Sequence, residues 1–409
     1  MNKKIEDISY LFEGLLFPFL SVYKVIFNPK TKYGVWIIML FFFYVGSAQM
    51  IDFQEIESDI ARVAKDFINL SDRKDLSFFD YFLSLSRSNQ IDFYLPFMKW
   101  FISRITNSYE LFNGVLAGIT GIFMANNFLY IARKSNKSPL IFLLLVLLFF
   151  IPNIIFITHR WWTALQVFLY GALPFSYENN TKKIIFPILS TIIHFSFLYP
   201  LLILIAFKWT PKKHLLPYII IFYIANLLQS TDLNHILNLS ASYLPQLIAE
   251  RSESYINAQS IDKNFFSKSV RIIWQIINMF MALYLFLKHS NLFKENQDIK
   301  KLFILSLLLG SFSAIANLTE WGWRYLDLSN FCFCSMYIMI LSKQNLHTYY
   351  KIDNIFRWFT PFFIYLILFQ IRALLAIIGP KEFFLGNIIT TWIIEDQQSL
   401  LEIIKESIL

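Results

Sequence analysis

The stretch Ile154–Pro200 decides the fold, and it reads IIFITHRWWTALQVFLYGALPFSYENNTKKIIFPILSTIIHFSFLYP. One apolar run ends in the motif His159-Arg160-Trp161-Trp162, a second apolar run follows, and a lysine pair marks its far end. A third apolar run then carries His194 near its centre. Because ionisable side chains inside or at the rim of hydrocarbon are energetically costly, these residues are the first functional candidates.

The composition indicates a membrane protein. Charged residues make up 16% of the sequence and hydrophobic residues 56%, with a mean hydropathy of +0.50, whereas soluble domains carry about 25% charged residues. Many apolar runs have about twenty residues, the length that crosses a bilayer. The sequence therefore predicts an all-α, polytopic integral membrane protein that forms a single transmembrane domain. In such a protein the net charge of +8 informs topology and does not indicate nucleic-acid binding.

About eleven transmembrane helices are expected. The apolar runs that we assign to them lie at residues 8–27, 34–50, 109–132, 138–157, 160–177, 183–207, 215–229, 270–288, 302–319, 324–342 and 356–378. Lysine- and arginine-rich short connections mark the cytoplasmic side. The mixed-charge connections 51–108 and 230–269 are then two large periplasmic loops, and residues 380–409 form a C-terminal amphipathic tail.

The run 183–207 breaks this alternation because basic residues lie at both of its ends. Lys182 and Lys183 precede it, and Lys208, Lys212 and Lys213 follow it. A re-entrant pair of half-helices that turns near His194-Phe195-Ser196 would keep both groups in the cytoplasm. One long crossing that violates the positive-inside rule is the alternative.

Three further patterns predict packing. Phe93, Phe97 and Phe101 recur on one helical face together with Trp100, which favours an amphipathic helix at the membrane surface. Cys332 and Cys334 lie inside an apolar run, so we expect small buried core residues rather than a metal site. Glycine is scarce, with 11 residues in the chain, so close helix packing through small residues is not expected to be a main theme.

The motif at residues 159–162 offers the strongest candidate site. The Arg160 guanidinium matches phosphate or carboxylate groups, and His159 exchanges protons near neutral pH. Trp161 and Trp162 could stack on sugars, although interfacial tryptophans are also an ordinary membrane feature. His194 is a second acid–base candidate, and a histidine satisfied by a neighbouring helix is the structural alternative.

Charged residues elsewhere are weaker candidates. For these charged residues the structural alternative is a solvated loop or a helical ion pair, such as that of Glu320 with Arg324. No P-loop, GxSxG elbow, HExxH helix or Rossmann glycine pattern occurs, so neither ATP nor a serine nucleophile has support. The additional candidates for ligand binding are Asp59, Arg62, Glu320, Arg324, Tyr325 and Arg372.

Several short motifs in this order resemble the EpsG-like branch of the Wzy-type polysaccharide polymerases. The first is Asp59-Ile-Ala-Arg62, which Asp66-Phe67 follows. The residue directly after the arginine is commonly Tyr or His in the family, whereas this chain has Val63. The others are Arg160-Trp-Trp-Thr-Ala164, His194-Phe-Ser196 and Arg324-Tyr325.

The resemblance implies a bacterial inner-membrane enzyme, without a cofactor or metal, that joins undecaprenyl-pyrophosphate-linked oligosaccharide repeat units at the periplasmic face. Arg160 and Arg324 would stabilise the leaving pyrophosphate, with Arg62 or Arg372 assisting. His194, or else His159, would act as general base, and Asp59 or Glu320 would orient the base or bind sugar hydroxyls. A separate chain-length regulator is a further conceivable partner.

Two other functions fit the same sequence. One is a lipid-sugar-dependent glycosyltransferase that adds a single sugar, with Glu57 and Asp59 holding a metal ion. The other is a transporter or flippase of lipid-linked oligosaccharides, although no internal repeat is evident.

Overall fold

The computed structural model describes most of the chain as helix. In the part of the chain that it describes, regular structure consists of helices without strands. The described residues are 9, 12–51, 59–86, 92–135, 159–228, 265–318, 322–343, 354–355, 357–388, 390 and 398–408. The predicted span 138–157 and most of the loop 230–269 lie outside them.

The part of the chain that the structure describes contains sixteen main helices. In chain order they are α1 Pro18–Phe27, α2 Gly34–Ser47, α3 Asp59–Ser71, α4 Phe78–Ser86, α5 Tyr94–Ser103, α6 Tyr109–Lys134, α7 His159–Glu178, α8 Ile185–Ile193, α9 Leu198–Trp209, α10 Leu216–Leu227, α11 Phe265–Glu295, α12 Gln297–Ala316, α13 Arg324–Lys343, α14 Thr360–Leu375, α15 Pro380–Leu385 and α16 Leu400–Ile408.

Four described helices are long and apolar enough to cross a bilayer. They are α6, α12, α13 and the part of α11 from Ser269 to Glu295. Shorter apolar helices of 10–17 residues include α1, α2, α10 and α14. The protein is therefore an all-α polytopic membrane protein, as predicted, while the number of eleven crossings stays a prediction.

The chain divides into two compact units. The first consists of Met1–Gly171, Lys183–Leu198 and Leu341–Leu409, and the second of Ala172–Lys182 and Tyr199–Ile340. Each unit has its own buried interior and its own polar cluster, and they are described in turn.

In the first unit, α2 and α6 pack closely through glycines, which corrects our expectation that small-residue packing would be minor. A Cβ atom on Gly46 would lie 2.5 Å from the Ala117 Cβ and 3.0 Å from the Asn113 carbonyl oxygen. A Cβ atom on Gly121 would lie 2.7 Å from the Phe42 Cβ. Few glycines suffice because they are concentrated at one helix contact, where they let the backbones approach.

Polar pairs fix the register of α7 on α6. The hydroxyls of Thr120 and Thr163 lie 2.6 Å apart, and the Asn127 amide donates to the Gln166 Oε1 at 2.8 Å. At the start of α7, His159 shares a hydrogen bond with Asn113. These side chains are buried, where unpaired polar groups are costly, so the pairs favour one axial position of α7 on α6.

The helix α8 ends at His194, where we predicted a turn. The backbone of His194 is extended, with φ −148° and ψ 113°, and a 3₁₀ turn at Phe195–Phe197 follows before α9 begins. Residues 183–207 therefore do not form one uninterrupted helix, and a single crossing that is broken at His194 stays an alternative. The re-entrant path itself stays a prediction.

Between residues 51 and 108 the chain forms three helices, α3, α4 and α5. Phe67 of α3 stacks on Phe112 of α6, with ring centroids 4.3 Å apart, in a core that also includes Leu95 of α5. On α5, Phe97 stacks on Phe93 and on Phe101 at centroid distances of 5.7 and 6.0 Å. These three rings are more than a third exposed, as an apolar surface face requires.

The second unit has a tightly packed interior along α13. Cys332 and Cys334 are fully buried free cysteines, which confirms their expected core role. Asn278 of α11 donates to the Asn330 Oδ1 at 2.7 Å and accepts from the Tyr337 hydroxyl at 3.0 Å. The buried amides of this interior are thus paired, as the cost of burying polar groups demands.

Candidate functional site

Arg160 is held by a carboxylate that the sequence analysis did not single out. It lies in the first turn of α7, where a cation is disfavoured by the positive end of the helix dipole. The Asp92 Oδ2 accepts from the Arg160 Nη1 at 2.8 Å, and this ion pair offsets that cost. The Arg160 side chain stays 38% exposed and that of Asp92 13%, so the guanidinium remains accessible to a ligand.

Asp92 also contacts the chain immediately after His194. Its Oδ1 accepts from the Phe195 backbone N–H at 3.0 Å, so one carboxylate joins the start of α7 to the break after α8. Because each oxygen of this carboxylate has a different partner, Asp92 fixes Arg160 relative to the His194 backbone. A carboxylate with a bidentate-capable arginine and a backbone donor is a strong, charge-assisted arrangement.

His194 is partly buried and oriented by its neighbours. Its Nδ1 lies 2.6 Å from the Ser196 hydroxyl oxygen, and its ring meets the Trp161 ring edge-on at a centroid distance of 5.4 Å. Nδ1 also accepts from the Ser196 backbone N–H at 3.4 Å, so the turn that follows His194 holds the imidazole ring. Asp92 thus contacts Arg160 and the backbone that follows His194.

The other members of the motif at residues 159–162 are buried. His159 is 5% exposed and bonded to Asn113, Trp161 is 3% exposed, and Trp162 is 0% exposed. Neither indole face is open to a sugar, and the His159 ring has no solvent route for a proton. The structure therefore favours packing roles for these three side chains over the base and sugar-stacking roles that we expected.

A second ion pair lies next to Arg160. The Lys99 Nζ donates to the Asp66 Oδ2 at 2.9 Å, and the lysine side chain is 9% exposed whereas Asp66 is 62% exposed. Burial lowers the pKa of Lys99, and the nearby charge of Arg160 lowers it further, while Asp66 opposes both effects. Arg160 is therefore part of a cation-rich region whose counter-charges are Asp92 and Asp66.

Three other candidates of the first unit lie on α3 and α14. Arg62 is exposed on α3, and Arg372 is exposed on α14. The backbone of Asp59 begins α3, whereas its side chain lies outside the described part of the chain, as does Glu57. Their predicted roles stay predictions.

The second unit carries a separate cluster at the start of α13. Arg324 and Tyr325 open this helix, and the buried Tyr325 ring packs edge-on against Phe312 at a centroid distance of 4.8 Å. The Tyr325 carbonyl accepts from the Ser313 hydroxyl at 2.7 Å. Glu320 lies outside the described residues. Tyr325 therefore has a packing contact and a backbone anchor that position Arg324.

Sequence reasoning missed Asp92, Lys99 and the polar pairs of α6. Asp92 is separated from Arg160 and Phe195 by long stretches of chain, and no local spacing relates them. A usable signal existed for α6, since Asn113, Thr120 and Asn127 recur every seven residues in an apolar run. Such a polar stripe predicts a hydrogen-bonded face toward a neighbouring helix.

These features define a polytopic helical membrane protein. It has an arginine in an ion pair with an aspartate, and a histidine at a helix break. A model of the EpsG family matches residues 75–378, which is well over half of the chain. The protein belongs to the EpsG family. Membership supports a membrane protein of polysaccharide biosynthesis with a glycosyltransferase- or polymerase-type role. No curated protein matches the chain, and no solved structure does.

Proposed function

We propose that this protein polymerises polysaccharide by joining undecaprenyl-pyrophosphate-linked oligosaccharide repeat units at the periplasmic face of the bacterial inner membrane. The observation that carries the proposal is the Asp92 carboxylate, which bonds both Arg160 and the backbone after His194. It brings an accessible cation and a candidate base together in a membrane protein of the EpsG family.

The chemistry assigns one role to each side chain. The bond between the anomeric carbon and the pyrophosphate oxygen breaks, and its electron pair leaves with the pyrophosphate, whose developing charge Arg160 stabilises. The acceptor hydroxyl oxygen forms the new glycosidic bond and gives its proton to the His194 imidazole. Asp92 keeps Arg160 oriented before the charge develops, so little reorganisation accompanies the reaction.

The first test is complementation with variants of these two residues. In a strain lacking this gene, we expect Arg160→Lys and His194→Ala to give single repeat units where the wild type gives a polysaccharide ladder on a gel. Lysine lacks the planar, forked N–H donors with which arginine fits a phosphate. Loss of a positioned base typically lowers a rate by about 10²–10⁴-fold.

Matched controls are available in the same chain. Arg133 bonds the Pro29 carbonyl oxygen at the far end of α6, and His214 is exposed in the second unit. Arg133→Lys and His214→Ala should keep the full ladder at equal membrane levels. Full ladders from both site variants would reject this active site, and a deletion strain that keeps its ladder would reject the polymerase.

The metal-dependent single-sugar transferase gives a different result. Among the described residues, no group of three or more His, Cys, Asp or Glu side chains is arranged to hold a metal ion, but Glu57 lies outside them. Chelator added to membranes should leave repeat-unit joining by Arg160 and His194 unchanged. Loss of activity with chelator and its return with a divalent cation would favour the transferase.

A further inference from the structure

Five lysines gather where the turn between α9 and α10 meets the start of α12, and the proposed active site uses none of them. The Lys300 Nζ of α12 donates to the Lys213 carbonyl oxygen at 2.9 Å, so these two segments of the second unit are in direct contact. The group, which we name the lysine patch, consists of Lys208, Lys212, Lys213, Lys300 and Lys301.

Hydrogen bonds hold the turn in place. The Lys212 Nζ donates to the Phe207 carbonyl oxygen at 2.8 Å and to the Lys208 carbonyl oxygen at 3.3 Å. These carbonyls belong to the last turn of α9, where a cation interacts favourably with the helix dipole. The Tyr218 hydroxyl of α10 donates to the Pro211 carbonyl oxygen at 2.6 Å. The turn is therefore ordered before a ligand arrives, which lowers the entropic cost of binding.

The lysine patch has more positive charge than its two segments can balance. These segments, residues 208–214 and 295–301, contain five lysines and two acidic residues. One of the acidic residues, Asp298, pairs with Lys301 at 3.2 Å. Burial lowers the pKa of Lys212, and the nearby charge of Lys301 lowers it further. Backbone carbonyls accept hydrogen bonds from lysines without cancelling their charge, so an anionic ligand would reduce this repulsion.

Exposed apolar side chains lie directly beside the lysine patch. Trp209 at the end of α9 is 76% exposed, and tryptophan is enriched at membrane–water interfaces. The helix α10 is apolar, and its exposed side chains recur at helical spacing on one face, namely Leu216, Ile220, Ile224 and Leu227. The lysine patch and this face together suit a ligand that has an anionic head and apolar chains.

We propose that the lysine patch binds the anionic headgroup of a phospholipid whose acyl chains lie along the exposed face of α10. Lysines near a membrane surface attract anionic lipids. Free phosphate would leave the apolar face without a partner, whereas a phospholipid uses both surfaces. Binding of this lipid requires no sugar chemistry, so the proposal does not depend on the proposed function.

Thermal unfolding of the purified full-length protein in detergent measures the binding, because a ligand of the folded state raises the unfolding midpoint with its concentration. The probes are phosphatidylglycerol, phosphatidylcholine with the same acyl chains, and inorganic phosphate, each at fixed ionic strength. We expect phosphatidylglycerol to raise the midpoint more than either of the other two probes does.

Lys208 and Lys213 are exposed, so their side chains can be changed while the hydrogen bonds that hold the turn are kept. In the double variant Lys208→Gln with Lys213→Gln, the apparent affinity for phosphatidylglycerol should fall at least about tenfold. The midpoint without lipid should stay unchanged. Native mass spectrometry gives a second readout, because the variant should retain fewer phosphatidylglycerol molecules than the wild type.

Lys30 and Lys32 provide the matched control, because they are exposed in another short connection, between α1 and α2. The double variant Lys30→Gln with Lys32→Gln changes the net charge equally and should keep its affinity for phosphatidylglycerol. Equal weakening by both double variants would show that the total charge of the protein attracts the lipid, and it would overturn the site.

Two further results would also overturn the site. The first is equal affinity of the wild type and the Lys208→Gln, Lys213→Gln variant for phosphatidylglycerol. The second is an effect of phosphatidylcholine or inorganic phosphate as large as that of phosphatidylglycerol. Neither result bears on the polymerase, because the ladder test with Arg160→Lys is a separate experiment.

Discussion

At the scale of single residues, Asp92 joins two separate parts of the first unit. Its two carboxylate oxygens bond the Arg160 guanidinium and the Phe195 N–H. The contact with Arg160 depends on the negative charge of Asp92, whereas the contact with the Phe195 N–H requires only a hydrogen-bond acceptor. One substitution can remove the charge alone, and another can remove both the charge and the acceptor. Comparing them separates the orientation of Arg160 from the support of the backbone after His194.

We expect Asp92→Asn to reduce polymerisation by roughly 10²-fold, the usual cost of misplacing a reacting or stabilising group. The amide still accepts from the Phe195 N–H, so the protein should fold, but Arg160 loses its counter-charge. Asp92→Ala removes both contacts and should lower thermal stability as well. The measurements are ladder length and unfolding temperature.

Asp66 provides the control, because it is 62% exposed and pairs with Lys99 instead of Arg160. Asp66→Asn should change ladder length less than Asp92→Asn does. An Asp92→Asn protein with wild-type ladders would show that the ion pair of Arg160 does not matter for activity.

At the scale of helices, the contact of α2 with α6 depends on the absence of side chains. Gly46 faces the Ala117 Cβ and the Asn113 carbonyl, and Asn113 in turn donates to the Gly46 carbonyl oxygen at 2.6 Å. A methyl group at residue 46 would therefore push against the helix that positions His159. Small residues here stabilise the scaffold on which α7 is placed.

Gly46→Ala should destabilise the protein by about 1–3 kcal/mol, the usual cost of overpacking a dense core. Thermal unfolding of the purified protein in detergent measures the effect as a lower midpoint. The cause is steric, since the new Cβ would lie 2.5 Å from the Ala117 Cβ.

Gly118 of α6 is the matched control at the same interface. A Cβ atom there would meet the Phe43 Cβ at 3.5 Å, an ordinary contact distance. Gly118→Ala should leave the midpoint nearly unchanged. If the Gly46→Ala and Gly118→Ala proteins had equal unfolding midpoints, α2 and α6 would have to separate without a cost in free energy.

At the scale of the whole molecule, residues near the C-terminus return to the first unit. The Tyr44 hydroxyl of α2 donates to the Glu382 carbonyl oxygen in α15, and both residues are buried. The Met50 N–H donates to the Ile377 carbonyl at 2.9 Å. The tail predicted at 380–409 is therefore anchored at its start by contacts with the beginning of the chain.

Tyr44→Phe should lower stability by about 0.5–1.5 kcal/mol, the usual net contribution of one hydrogen bond, because the Glu382 carbonyl keeps its bond from the Gly386 N–H. Tyr23→Phe is the control, since Tyr23 is 57% exposed on α1. Limited proteolysis should remove the C-terminal segment faster from the Tyr44 variant than from the control. Identical cleavage rates would contradict an anchoring role.

The sequence by itself determined the class of the protein and where to look for its site. Hydrocarbon sets the length and composition of crossing helices, so apolar runs alone predicted an all-α membrane protein. The cost of ionisable groups in hydrocarbon pointed to Arg160 and His194. The prediction of the class is confirmed because it depends on a local property of the chain, whereas the roles of Arg160 and His194 stay predictions.

The tertiary structure showed how the candidates are buried and which partners they contact. His159 and the two tryptophans are buried, and Asp92 joins Arg160 to the His194 turn across separations of 68 and 103 residues. Arg271 met Trp323 from another helix. Such contacts depend on how helices pack against each other, and periodicity within one helix carries no information about the residue that a neighbouring helix will present.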